Sequence, residues 1–355
     1  MKVVFDMDTG VDDSLALIYA LNRPAYEIQG IGCVYGNVES WLAAENTMKI
    51  LDLVNAPDIP VVIGANEPLT GKWAGRVSII HGENGLGNVE LPKSERKPFD
   101  KGIEEFYLET AERLQGEMVL ITVGPLTNIA RTIKKYPQFV KLVKHMYMMG
   151  GTLSMRGNVS PVAEANVACD PVAADYVFQS GMKITAVGLD VTMKVRFKRA
   201  YLDWIQTHCR PELKRAAEYL GKAFEWYFMG NQDRNYCMDD SPLHDPLAVM
   251  CASVPGLVLT QTRKARVECE GQYCRGMIVT DMREHPFEAE TVEFAVEVES
   301  DWRAACSFLG EIESAKYPRG CEGILSLIQH IIDTEISNSL HPDLTFKTSA
   351  WCRFA

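Results

Sequence analysis

Four carboxylates crowd into eight residues near the start of the chain, in the stretch Val3-Val4-Phe5-Asp6-Met7-Asp8-Thr9-Gly10-Val11-Asp12-Asp13-Ser14. Like charges this close repel one another, and a folded protein normally offsets such repulsion with a cation. Carboxylate oxygens are hard ligands, which points to Ca²⁺ or Mg²⁺ rather than to a soft metal. Leu15, Leu17, Ile18 and Leu21 follow at helical spacing and place Asp12 and Asp13 at a helix N-terminus. A plainer reading makes Asp12 an N-cap and Asp13 a complement to the helix dipole. It leaves Asp6 and Asp8, at the end of an apolar strand, without a role. A metal or phosphate site accounts for all four.

Two distant segments carry similar chemistry. In Leu243-His244-Asp245-Pro246 a histidine that on its own could be structural stands beside a further carboxylate. In Ala163-Glu164-Ala165-Asn166, Glu164 and Asn166 flank a small residue, so an extended segment would point both to one side, with Asn158 shortly before them. A carboxylate and amides gathered on one side suit a polyhydroxylated ligand such as a sugar, because each hydroxyl both donates and accepts. A solvated loop face is the plainer alternative.

Alternating strands and helices must position these groups. Apolar stretches at residues 2–8, 26–34, 60–63, 118–123, 145–149 and 183–188 read as strands, with helices from 13, over 40–54, from 126 and from 170. This alternation predicts an α/β fold with a single open, mostly parallel, doubly wound sheet flanked by helices. Ligands in such sheets bind beyond the carboxyl ends of the strands. The informative clusters Asp6–Asp13, Gly32–Asn37, Val123–Asn128 and Met149–Asn166 all fall there. Residues 199–243 read as helices carrying Trp226, Tyr227 and Phe228, residues 263–297 as a small antiparallel appendage, and residues 324–332 as a C-terminal helix. Without repeat or linker, the expected division is one domain over 1–310 and a C-terminal helical extension over 311–355 packed on it. Gly30-Ile31-Gly32-Cys33-Val34-Tyr35-Gly36 has one residue too many for a dinucleotide fingerprint, and Gly64 to Gly71-Lys72 has the wrong spacing for a P-loop.

Composition narrows the partners. With 355 residues, 47% hydrophobic and 23% charged, the chain is of globular type and long enough for a substantial core. A net charge of -11 argues against nucleic acid or an anionic membrane as the main partner. Ten cysteines are scattered without Cys-x-x-Cys or zinc spacing. Asp6 interrupts the N-terminus before an apolar leader could form, and no stretch reaches membrane-spanning length. Reduced thiols in a cytoplasmic protein are the expectation.

Taken together, Asp6-x-Asp8-x-Gly10-x-Asp12-Asp13, Gly124-Pro125-Leu126-Thr127-Asn128, Glu164-x-Asn166 and His244-Asp245 resemble the inosine–uridine-type nucleoside hydrolases in order and spacing. The segment His81-Gly82-Glu83-Asn84-Gly85-Leu86 also resembles a loop of that family, and the similarity runs from residue 3 to about residue 310. Thr9 stands where many members carry proline. The resemblance implies hydrolysis of the N-glycosidic bond of ribonucleosides, with Ca²⁺ held by Asp8, Asp13, Asp245 and the Val123 carbonyl, and Asp6 supporting the loop from behind. It implies that Asp12, Asn37, Asn158, Glu164 and Asn166 grip the ribose hydroxyls and that Met149 and Asp245 also bind substrate. His81 and His244 would face the base, with the aromatics at 226–228 as lid residues. It further implies a homodimer or homotetramer.

The implied chemistry is coherent. Cleavage builds oxocarbenium character on the ribose, which nearby carboxylates stabilise. A metal positions a water, Asp8 takes its proton, and His244 protonates the departing base. The family's purine-specific branch tends to carry Trp where His244 stands, so histidine favours the inosine–uridine or pyrimidine-preferring branches. The Asp6-Met7-Asp8-Thr9 start also resembles the aspartate-nucleophile phosphatases, which would give no role to Glu164-x-Asn166 or to His244-Asp245. A catalytically silent ribose- or nucleoside-binding protein would have no need of Asp8 and His244 together.

Overall fold

The structure, a computed structural model, describes residues 1–235 and 239–298. The expected domain boundary at 310, the 311–355 extension and the helix at 324–332 lie outside the described residues.

The strands are β1 (Lys2–Met7), β2 (Glu27–Cys33), β3 (Val61–Ile63), β4 (Met118–Thr122), β5 (Val143–Met149), β6 (Ile184–Val187), β7 (Arg196–Lys198), β8 (Asp240–Pro242), β9 (Val258–Val267), β10 (Ile278–Thr280) and β11 (Thr291–Val298). The helices are α1 (Val11–Leu21), α2 (Ser40–Leu53), α3 (Ser78–His81), α4 (Ile103–Leu114), α5 (Thr127–Lys135), α6 (Phe139–Leu142), α7 (Ala165–Cys169), α8 (Pro171–Phe178), α9 (Leu189–Thr192), α10 (Arg199–His208), α11 (Lys214–Asn235) and α12 (Asp245–Ser253).

Nine strands form one sheet in the order β10-β9-β11-β6-β5-β4-β1-β2-β3, parallel from β11 through β3. The expected antiparallel appendage is the β9–β10 pair, which joins the sheet through β11 rather than standing apart. A second, two-stranded antiparallel sheet pairs β7 with β8. Both faces of β1 are covered, which is why it reads as a nearly continuous apolar run. Val3, Phe5 and Met7 pack with α1, α2, α11 and α12, while Val4 packs with α4, α5 and α8.

Strand order reverses at β1: β2 and β3 lie on one side, β4, β5 and β6 on the other. Loops leaving the carboxyl ends of β1 and β4 therefore diverge and leave a crevice between them, the expected ligand position in such sheets. Asp6 pairs with Gly32 and Thr122, so Asp8 and Val123 both emerge at this edge.

Two local expectations change. Helix α1 starts at Val11 with Gly10 as N-cap, so Asp12 and Asp13 sit inside its first turn. The segment around Glu164 and Asn166 is not extended: Glu164 caps α7 and Asn166 lies in its first turn. The helix expected from residue 170 is α8, capped by Asp170 through the Ala173 N–H.

Candidate active site

The crevice opens into a cavity of ≈ 690 Å³, within the usual range for small-molecule sites. Its wall includes Asp12, Asn37, His81, Val123, Met149, Asn158, Glu164, Asn166, His244 and Asp245. Asp8 and Asp13 do not line it directly. They are buried against residues that do, and Asn37 ties them together. Its backbone N–H donates to Asp8 Oδ2 (2.8 Å) and its side-chain amide to Asp13 Oδ2 (3.1 Å). Gly36 makes this approach possible, since a Cβ there would lie 2.0 Å from Asp8 Oδ2. Asp13 Oδ2 also accepts the Gly10 N–H (2.8 Å), which locks the carboxylate onto its own helix start.

Each carboxylate is anchored by one oxygen only. Asp8 Oδ1, Asp12 Oδ1 and Asp13 Oδ1 are buried without a hydrogen-bond partner. Asp12, Asp13 and Asp245 each bring an oxygen to within 4.8 Å of the others. Removal from water and mutual repulsion together penalise the charged forms. Burial, then the charge of Asp13, raises Asp8 well above the carboxylate range, and burial with the Asp12 charge lifts Asp13 to about 7. Asp245 is raised by burial and by Asp12, Asp13 and Asp8. Unpartnered oxygens on crowded, desolvated carboxylates are what a hard divalent cation would satisfy, so the donor set fits Ca²⁺.

Asp6 is different. Its Oδ1 accepts from Asn128 Nδ2 (2.9 Å), and Asn128 Oδ1 accepts the Ala65 N–H (2.7 Å). Asp6 thus ties β1 to the start of α5 and the loop after β3, behind the cavity and not on its wall. A phosphatase nucleophile would have to face the substrate, so this placement closes the phosphatase alternative.

Both histidines are oriented by hydrogen bonds at Nδ1. The Val11 N–H donates to His81 Nδ1 (3.2 Å), which places the ring proton on Nε2. Burial lowers the basicity of His81 and takes His244 down to about 4, although the Asp12 charge opposes both shifts. His244 Nδ1 is hydrogen-bonded to Thr192 Oγ1 (2.8 Å).

Helix α11 lies against this end of α1 along one stripe. Tyr219 Oη donates to Ser14 Oγ (3.0 Å), and Tyr227 Oη donates to Asp12 Oδ2 (2.9 Å). Of the aromatics expected as a lid, Tyr227 lines the cavity, Phe228 is buried in the core, and Trp226 Nε1 donates to the Ser78 carbonyl. Asn231, four residues beyond Tyr227, reaches the cavity wall.

On the opposite wall, Glu164 Oε2 accepts the N–H groups of Gly151 (2.8 Å) and Val167 (3.2 Å), and Oε1 that of Asn166 (2.9 Å). Burial raises its pKa and these bonds pull it back. The Asn166 amide donates to the carbonyls of Val123 (3.0 Å) and Met149 (3.1 Å), bridging the ends of β4 and β5. Asn158 Oδ1 accepts the Ala165 N–H (2.9 Å). Ser154 to Gly157, Leu189 and Met193 also line the cavity. Sequence reasoning did not single them out, because no residue type or spacing marks them; only their place after β5 and β6 could have done so.

Comparison with known proteins agrees with this geometry. The family model described as inosine-uridine preferring nucleoside hydrolase matches residues 3–303. Uridine nucleosidase 1 of Arabidopsis thaliana is 36% identical over 281 residues, covering 79% of this chain and 82% of that protein. The pyrimidine-specific ribonucleoside hydrolase RihA of Klebsiella pneumoniae is 32% identical, covering 79% and 88%. Among solved structures, the purine-preferring ribonucleoside hydrolase from Gardnerella vaginalis superposes with a TM-score of 0.79 at 33% identity, covering 86% of this chain and 96% of that one.

Proposed function

This chain belongs to the inosine–uridine-preferring nucleoside hydrolase family and is a nucleoside hydrolase, and on that premise we propose a Ca²⁺-dependent hydrolysis of ribonucleosides with Asp8 as general base. One observation carries the proposal: Asp8, Asp12 and Asp13 each leave a buried oxygen unpartnered, and Asp12 and Asp13 bring an oxygen to within 4.8 Å of Asp245.

Asp8, Asp13, Asp245 and the Val123 carbonyl would hold the cation. That carbonyl already accepts from Asn166, and a carbonyl oxygen has a second lone pair to offer. A bound divalent cation would offset the crowded charge and lower the pKa of a water held for attack. Asp8, anchored through Oδ2 by the Asn37 N–H and with Oδ1 free, would take the proton of the attacking water. Asp12, Asn37, Asn158, Glu164 and Asn166 hold the ribose hydroxyls, with Met149 beside them. Glu164, buried and fixed by three backbone N–H groups, stabilises the positive charge that develops on the sugar. His81 and His244 face the base, and His244 protonates it as it departs; burial lowers the free ring to about 4, and the Asp12 charge is the one group opposing that shift.

The relatives named for uridine and the histidine at 244 support uridine as the first substrate to test. A homodimer or homotetramer in the cytoplasm completes the proposal. Six cysteines among the described residues are free thiols, in keeping with a reducing compartment. The direct test offers the purified protein uridine, cytidine, inosine, adenosine and nicotinamide riboside and reads free ribose. Turnover of uridine is expected; release of ribose from none of them would overturn the proposal.

A further inference from the structure

Helix α9 is one turn long, yet it is bonded to both sides of the cavity. Asp190 is buried, and its carboxylate gathers the backbone of the segment after β5. Oδ2 accepts the Leu153 N–H (2.7 Å) and the Thr152 hydroxyl (3.3 Å), while Oδ1 accepts the N–H groups of Ser154 (2.8 Å) and Met155 (3.2 Å). Two residues on, the wholly buried Thr192 binds His244 Nδ1 through Oγ1 at 2.8 Å. The turn itself is pinned in place. The Leu189 N–H donates to the Gly151 carbonyl (2.9 Å), and a Cβ at Gly188 would lie 2.5 Å from that same oxygen.

We propose that Asp190 and Thr192 are positioning residues for the reaction, Asp190 shaping the 152–155 wall and Thr192 orienting the His244 ring. The inference rests on the reading above, in which His244 faces the base and the wall leading to Asn158 faces the ribose. A carboxylate that accepts from three consecutive backbone N–H groups holds the loop in one shape, because no other single group gathers the three donors. An imidazole held at Nδ1 presents Nε2 in one direction, and because a hydroxyl can donate to or accept from Nδ1 the bond fixes the ring's orientation for either tautomer. Both constraints come from a single turn, so the two walls are set against each other rather than separately. Misplacement by about 1 Å costs on the order of 10²-fold in rate, enough to make such a strut matter.

The test uses the full-length protein, with uridine and p-nitrophenyl riboside, whose leaving group needs no proton. Thr192→Val keeps the shape and removes the hydroxyl. It is expected to lower kcat for uridine by about 10²-fold with little change in KM and little loss on p-nitrophenyl riboside, and Thr192→Ser should restore the rate. Asp190→Asn turns an amide donor toward backbone donors. It should raise KM for both substrates by about tenfold. Two readouts are independent of turnover. The Nδ1 resonance of His244 should shift in Thr192→Val, where its hydrogen bond is lost, and return in Thr192→Ser, and amide exchange at 153–155 should quicken in Asp190→Asn. Variants that lose only melting temperature, equal losses on both substrates in Thr192→Val, or no recovery in Thr192→Ser would overturn the proposal. Absence of ribose release by the wild type would instead refute the functional reading, and the spectra and exchange rates would still decide the positioning roles.

Discussion

At the scale of single residues, what anchors each aspartate separates its task from its neighbour's. Asp6 and Asp8 each keep one buried oxygen free, and the other oxygen tells them apart: Asp6 Oδ1 is held by Asn128, Asp8 Oδ2 by the Asn37 N–H at the cavity wall. Asp8→Asn should lose turnover by at least about 10²–10⁴-fold, the usual contribution of a general base. The same variant, freed of metal, should melt no lower than wild type, because the change removes a desolvated like charge; a large drop in melting temperature would contradict that electrostatic account. The number of groups assigned to ribose hydroxyls leads to a second expectation. A site built around a hydroxyl rejects its absence by about 10⁴-fold, so kcat/KM for 2′-deoxyuridine should fall by that order relative to uridine. Comparable values would remove Asp12, Glu164 and Asn166 from their roles. These residues were legible because carboxylate pairs, Glu-x-Asn and His-Asp are unusual combinations. Asp190 and Thr192 were not, since an Asp and a Thr two apart in an apolar segment carry no signal until the fold shows what they touch.

At the scale of elements, the strand–helix alternation was readable wherever a buried strand stands out as an apolar run, as β1, β4 and β6 do. It failed between residues 64 and 117, where the short α3 and the long connections carry little periodicity; α4 was missed there although Ile103, Phe106, Tyr107, Ala111 and Leu114 bury one face. The extended reading of Glu164 and Asn166 failed because a cap followed by a one-turn helix looks like an alternating strand over so few residues. Placement of α11 was equally hidden, since its partner α1 lies some two hundred residues away. That contact has a measurable consequence. Tyr227→Phe leaves Asp12 Oδ2 without its donor, at a cost of about 1–3 kcal/mol. Melting temperature should fall and KM for uridine should rise; an unchanged KM would show that Tyr227 does not hold Asp12 for substrate.

For the whole molecule, the parallel sheet gathers at one crevice residues from positions 8 to 245, and strand order explains why. The sequence displayed the parts but not the reversal at β1, which depends on pairing between distant strands. Crowding the carboxylates there gives the metal-free fold a characteristic pH response. Asp6 and Asp13 are lifted to about 7 from a usual value of 3.8, so the native state binds more protons than the unfolded chain between these limits. Stability of the chelated protein should therefore fall as pH rises from about 4 to about 7, and a cation that binds only the folded state should offset the loss. A melting curve for chelated protein that rises over this window would contradict the sign. Most direct is ribose release from uridine by protein stripped with a strong chelator, before and after Ca²⁺ is added back, with Asp8→Ala alongside. Activity should vanish on stripping and return with Ca²⁺ in the wild type, and stay absent in Asp8→Ala throughout. Full turnover by the metal-free protein would contradict the account.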